Sequence, residues 1–279
     1  MTVAKHLAWG CLWLAAGLGH AEPLIRPTAI DWLLDCPLPT AQRLDPEVLA
    51  RTQCGIVSVP RNHAAPRQGH LNLYLTRVGA REPLNREGVV FAQSGDPPHP
   101  NSGGTFAIQL ASQWGASAAS AYRTLLNRYD VIELGTRDLG RDEDVEQAAR
   151  DLEFVRTQLG DAQLHYLGNA AATRLGNRYA ALFPERVARM VLVNGERGMT
   201  DAPQVQQLHL KEPAKPGANR CVTQWVGAFL AYGKQPPPST RCVGSDDGGQ
   251  HAVYDLLAPK TTRCVDAPCQ SLLSAIYPH

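Results

Sequence analysis

Apolar residues recur along this chain in two periods, and the switches between them mark out its elements. Residues 55–59 form a short β-branched run ended by Pro60, and residues 71–78 alternate apolar with polar positions, so both predict strands. Pro66 and Gly69 lie between them, as a turn requires. Residues 88–92 and 129–134 predict further strands, separated by a loop rich in Gly, Pro and Ser up to Gly104 and by an Ala-rich stretch, 106–126, with room for a helix. From Asp144 the period lengthens: Val145, Ala148, Ala149, Leu152, Val155 and Leu159 recur at three and four residues, the stripe of an amphipathic helix ended by Gly160. A short strand at 164–167, a helix at 173–183 closed by Pro184, and a strand at 187–193 follow.

Strands alternating with helices imply βαβ units, hence an α/β fold with a mostly parallel sheet and helices on both faces. The first two strands, joined by a turn, are expected to pair as an antiparallel edge. Beyond Gly195 the pattern dissolves, and only residues 222–232 still read as helix before Pro236-Pro237-Pro238. The expected organisation is therefore a leader at 1–21, an α/β core at 22–200 and a cysteine-rich C-terminal segment at 201–279.

The leader is read from Lys5 and His6, the apolar run 7–18 and a small residue, Ala21, before Glu22-Pro23, which together resemble a cleavable export signal. The same residues also fit a buried helix or an uncleaved anchor. Cys11 is not read as a lipid attachment site, because Trp9 stands where a small residue is needed. Cleavage after Ala21 turns seven cysteines into six, an even number suited to disulfides in an oxidising compartment, secreted or periplasmic. Cys36–Cys54, Cys221–Cys242 and Cys264–Cys269 is the simplest of the fifteen connectivities that six cysteines allow. Zinc is a weak reading for Cys264 and Cys269, which lack a second cysteine pair or nearby histidines.

Composition narrows the function classes. With 44% hydrophobic residues, 19% charged and a net charge of +1, the chain has a sizeable core and no field directed at nucleic acid or an anionic membrane. No later apolar run is long enough to span a bilayer. Neither a GxxxxGK[ST] loop nor a GxGxxG turn is present, and no cofactor or metal is expected.

One segment is more specific. Residues 166–187, from Tyr166-Leu-Gly-Asn-Ala-Ala-Ala-Thr to Phe-Pro-Glu-Arg-Val187, resemble the strand, nucleophile elbow and following helix of α/β-hydrolases, closest to secreted tripeptidyl aminopeptidases and proline iminopeptidases. Cys54-Gly-Ile-Val-Ser-Val-Pro60 resembles that group's opening strand, and 221–242 its C-terminal helix and cysteine pair. The resemblance implies a serine nucleophile in G-x-S-x-G, a histidine base, an acid and a backbone oxyanion hole. This chain departs from it at each part. Gly168-Asn169-Ala170-Ala171-Ala172 puts alanine at the nucleophile position and at the second glycine. The oxyanion loop, expected as G-G-P-G, reads Gly95-Asp96-Pro97-Pro98, with an acid and a residue lacking N–H. Of a D-x-R-G-x-G loop only Arg137 and Gly140 remain, Arg137 being expected to satisfy loop carbonyls or Asp138. The acid's place falls on Gly198, with Asp201 nearby, and His209 and His251 are the late histidines.

The joint departures imply a catalytically inactive relative, truncated after the elbow unit, that holds a peptide or small acyl ligand. Two alternatives stay open. One is an active hydrolase using Ser94 or Ser102 with His99 or His165; the other is a non-functional shortened remnant. The sequence carries no specific subunit interface.

Overall fold

The computed structural model describes residues 30–38, 44–95, 104–195, 204–210 and 220–237. Strands β1 (Ile30–Trp32), β2 (Thr52–Pro60) and β3 (His70–Val78) each run antiparallel to the next. β4 (Gly88–Gln93), β5 (Tyr129–Leu134), β6 (Leu164–Asn169), β7 (Val187–Val193) and β8 (Gln207–Leu210) are parallel, giving one sheet ordered β1-β2-β3-β5-β4-β6-β7-β8. This is an α/β-hydrolase fold.

Helices cover both faces, and the strand sequences show why. Every residue of β4 is buried: Val89 and Phe91 enter one core, Val90 and Ala92 the other, as a strand covered on both sides requires. On the first face lie α4 (Asp142–Leu159) and α5 (Ala172–Leu182). On the second lie the short α1 (Pro46–Leu49), with α2 (Phe106–Ala116), α3 (Ser120–Arg128) and α6 (Arg220–Tyr232). The apolar stripe of α4 is the one its sequence predicts, and Gly160 closes the helix at φ 76° while its N–H bonds back to Arg156 and Thr157.

Four details differ from the sequence expectation. The Ala-rich stretch holds two helices, because Ser117 turns extended and its hydroxyl accepts from the N–H of Ala119. The antiparallel pair is not the sheet edge, since β1 lies outside it. The stretch after Gly195 that carried no pattern adds a strand, β8, whose four residues are too short to show an alternation. β8 and α6 both pack on the common core, with Leu208, Val222, Val226, Phe229 and Leu230 buried beside α2 and α3.

Cys36 and Cys54 form a disulfide that ties the segment after β1 to β2. Cys221 is also disulfide-bonded. Cys242, Cys264 and Cys269 lie outside the described residues. No described helix is long and apolar enough to cross a membrane.

Candidate functional site

The carboxyl ends of β4, β5 and β6 meet at one place, as ligand sites in open α/β sheets generally do. Here the chain leaves β6 and enters α5 through a turn at Ala170, whose φ is +48°. A left-handed residue with a Cβ costs roughly 1–2 kcal/mol, so the surroundings must fix this turn. They do so through hydrogen bonds. The Ala170 N–H donates to Val193 O at 3.0 Å, and the Ala170 carbonyl accepts from the Thr173 N–H at 3.0 Å and its hydroxyl at 2.6 Å. The Ala170 side chain is exposed at the tip.

Packing beneath the turn is equally constrained. A Cβ on Gly168 would come within 2.6 Å of the Tyr166 ring, and one on Gly176 within 2.5 Å of the same carbon. Tyr166 fills the slot these glycines leave and donates its hydroxyl to Ala172 O at 2.8 Å, joining β6 to the first turn of α5. Ala172 is fully buried. Asn169 accepts from Asn194 Nδ2 at 3.0 Å, while Asn194 (φ 58°) donates its N–H to Leu210 O at 3.0 Å, so the turn is braced by β7 and β8.

Gly95 presses against the turn from β4. With φ +79°, its missing Cβ would lie 2.3 Å from Asn169 O, 2.8 Å from Ala172 N and 3.0 Å from Ala171 N. Beside it lies a cavity of about 30 Å³ lined by Gln93, Ser94, Glu133, Thr136, Leu139 and Ala172, among others. Glu133 Oε2 accepts the N–H groups of Phe106 (2.8 Å) and Ala107 (3.2 Å), capping α2 with a carboxylate as the helix dipole favours. Gln93 and Glu133 went unnoticed in the sequence. Their signal is polarity at the last position of β4 and the next-to-last position of β5.

Other expected residues fall elsewhere. Asp96, Pro97, Pro98, His99, Ser102, Gly198, Asp201 and His251 lie outside the described residues. Arg137 does satisfy loop carbonyls, those of Pro60 and Arg61 at 2.6 Å each, but its carboxylate partner is the buried Asp151, not Asp138. Asp138 instead accepts the Gly140 N–H at 2.9 Å. His209 is exposed on β8, opposite Leu192. Among the described residues no cluster of His, Cys, Asp or Glu suits a metal.

His165 cannot serve as a base for Ser94. Register pairs it with Val90, three residues before the Gln93–Gly168 pair, which places it roughly 10 Å down the strands from the turn. There it packs edge-on to Tyr129, and its Nε2 lies 3.3 Å from Arg189 Nη1. Burial first, and then the Arg189 charge, lower its pKa from 6.5 to about 4. The native state therefore holds this ring neutral while the unfolded chain protonates it below about pH 6.5, so its stabilisation is complete above 6.5 and lost as pH falls towards 4. Lowering the pH from 7 to 5 is expected to remove about 2 kcal/mol through this group. Urea titrations should show that loss in the wild type and a correspondingly flatter profile in His165→Phe.

The site thus consists of a strained strand-to-helix turn, a helix N-terminus and a polar cleft, the layout of a fold whose chemistry sits at one elbow. The α/β hydrolase fold family matches residues 129–216. Tripeptidyl aminopeptidase from Streptomyces coelicolor is 24% identical over 230 residues, covering 64% of this chain and 40% of that protein. The serine protease Hip1 from Mycobacterium tuberculosis is 50% identical over 44 residues, 16% of this chain and 8% of that one. The chain thus matches about 40% of the length of the aminopeptidase and a small part of Hip1. Among solved structures, juvenile hormone epoxide hydrolase from the silkworm Bombyx mori superposes with a TM-score of 0.38 at 14% identity, over 53% of this chain and 37% of that one. Cfl2 from Burkholderia cenocepacia gives 0.38 at 15%, over 68% and 55%. These matches relate the chain to the α/β-hydrolase superfamily and, within it, to aminopeptidase-like proteins.

Proposed function

We propose that this chain is an exported, catalytically silent relative of serine peptidases that holds a peptide or acyl ligand at the Ala170 turn without cleaving it. The observation that carries this reading is the alanine methyl at the exposed, left-handed tip between β6 and α5. Acyl transfer on this fold starts with an oxygen attacking a carbonyl carbon, and a methyl group has no lone pair to offer. Binding does not need that oxygen. The first turn of α5 still presents the positive end of a helix dipole to a carbonyl or carboxylate, and the cleft beside it still supplies polar groups. Support for export comes from the basic, apolar and small-residue order at 1–21 and from the Cys36–Cys54 disulfide, a bond typical of oxidising compartments.

The test treats purified wild type with a fluorophosphonate probe and short acyl esters, with Ala170→Ser alongside. Wild type is expected to take no covalent label and to show no turnover above background. Ala170→Ser is expected to regain at most weak labelling, because Asp96 and Pro98 depart from the oxyanion loop as well. A stoichiometric adduct on any wild-type serine would refute the silent reading.

A further inference from the structure

His165 is the second residue of β6, buried at 6% exposure and in register with Arg189 on β7, whose Nη1 lies 3.3 Å from the ring Nε2. A guanidinium can only donate, so Nε2 must offer its lone pair and the ring proton must sit on Nδ1. The same Nη1 donates to Leu230 O at 2.7 Å and to Ala231 O at 3.3 Å, so one cation joins β6, β7 and the last turn of α6. It stands where cations favour a helix, facing carbonyls that the C-terminal turn leaves unpaired. The helix end is shaped for it. Gly233, at φ +69°, donates its N–H to Phe229 O at 2.8 Å, and a Cβ on it would come within 3.2 Å of Arg189 Nε.

This three-way contact suits one protonation state only. A proton on Nε2 removes the acceptor and sets a second positive charge beside Arg189. The other groups around the ring do not offset it. β4 presents Val90, and α6 presents the Leu230 and Ala231 carbonyls through Arg189. Tyr129, edge-on from β5, stays neutral, its pKa pushed up to about 12 by burial and by the Glu87 carboxylate that its hydroxyl meets. Glu87, just before β4, favours the imidazolium, but Arg128 at the end of α3 shares that carboxylate, and burial and then Arg189 outweigh it. His165 is fixed in its strand, whereas Arg189 is long and only half-buried, so Arg189 is the partner that yields.

We propose that His165 is an acid-sensitive latch for α6: its protonation detaches Arg189 from the Leu230 and Ala231 carbonyls and loosens the last turn of the helix from the sheet. The inference stands apart from the ligand-binding reading. Cys221, disulfide-bonded in the first turn, and the Tyr122 hydroxyl on Thr223 O keep the other end of α6 in place. Linkage gives the direction. Opening hydrates the ring and returns its pKa to 6.5, so protons favour the open form as pH falls below 6.5, until the closed form itself protonates near 4. Between pH 7 and 5 the opening equilibrium should rise about 20-fold.

The experiment is amide hydrogen exchange on the ¹⁵N-labelled full chain at pH 7 and 5, corrected for intrinsic rates, with Val131 and Ile132 of β5 reporting global opening. Amides 229–233 are expected to exchange at least about ten-fold faster than that pair, through a local opening, and to lose about 20-fold in protection between pH 7 and 5. The imidazole ¹⁵N spectrum should place the proton on Nδ1 at pH 7. His165→Phe cannot titrate and should hold the pH response of these amides below about 3-fold. His165→Gln keeps an acceptor for Arg189 without titrating, is expected to behave alike, and serves if the Phe variant fails to fold. Arg189→Met should lower the protection of amides 229–233 already at pH 7. Protection of these amides equal to that of β5, no fall at pH 5, a fall that survives in a His165 variant, wild-type protection in Arg189→Met, or a proton on Nε2 at pH 7 would each overturn the proposal.

Discussion

Gly95→Ala is expected to lower stability by about 2–5 kcal/mol, combining roughly 1–2 for a left-handed residue with a Cβ and roughly 1–3 for overpacking. The second part is specific to this site. At 2.3 Å from Asn169 O and 2.8 Å from Ala172 N, the new methyl meets backbone, which no rotamer change can move aside. Those backbone atoms belong to the turn that Tyr166, Thr173 and Asn194 hold in place, so relief must come from separating β4 from the start of α5. Gly160→Ala is the control. Its φ of 76° is close to that of Gly95, but a Cβ there would meet nothing within 4 Å. Urea unfolding of the two variants separates strain from packing. Gly160→Ala should cost only the conformational part, and a Gly95→Ala loss no larger than that would refute the close approach.

The same contrast explains what the sequence revealed and what it hid. Elements that bury one periodic face are legible: β5 and β7 match the predicted bounds, and α4 begins two residues earlier than its stripe suggests. The elements that escaped are short. β1, α1 and β8 span three or four residues, and such segments owe their structure to pairing or packing with a neighbour, not to their own pattern. In the site, the turn at Ala170 is marked by Gly168 and Gly176, because only glycine leaves room for the Tyr166 ring. The cleft is not marked, since Gln93 and Glu133 acquire their roles from strands brought together across the sheet. The partner of Arg137 escaped for a similar reason. Asp138 is adjacent in sequence, whereas Asp151 stands on α4 three residues after Ala148 and four before Val155, squarely in the apolar stripe. A carboxylate at such a position signals a buried partner, and that was the readable clue.

Asp151→Ala is accordingly expected to cost about 3–5 kcal/mol, the range for removing one member of a buried ion pair. The Asp151 side chain is 2% exposed and receives Arg137 Nε at 2.6 Å, Arg137 Nη2 at 2.9 Å and His63 Nε2 at 2.7 Å. Without it the Arg137 guanidinium, itself 9% exposed, keeps only the Pro60 and Arg61 carbonyls, and the β2–β3 turn loses its strongest tie to α4. One neighbouring bond survives, from the His63 N–H to Gln147 Oε1 at 2.8 Å. The pair itself need not be strongly stabilising, because dehydrating two charges offsets much of their attraction. Joint replacement, Arg137→Met with Asp151→Leu, is therefore expected to lose clearly less than Asp151→Ala alone. The cycle is read from urea midpoints at pH 7 with an unchanged m-value, so that the comparison concerns the native state. A loss below about 1 kcal/mol for Asp151→Ala would make this an ordinary surface ion pair and remove the anchoring role assigned to it.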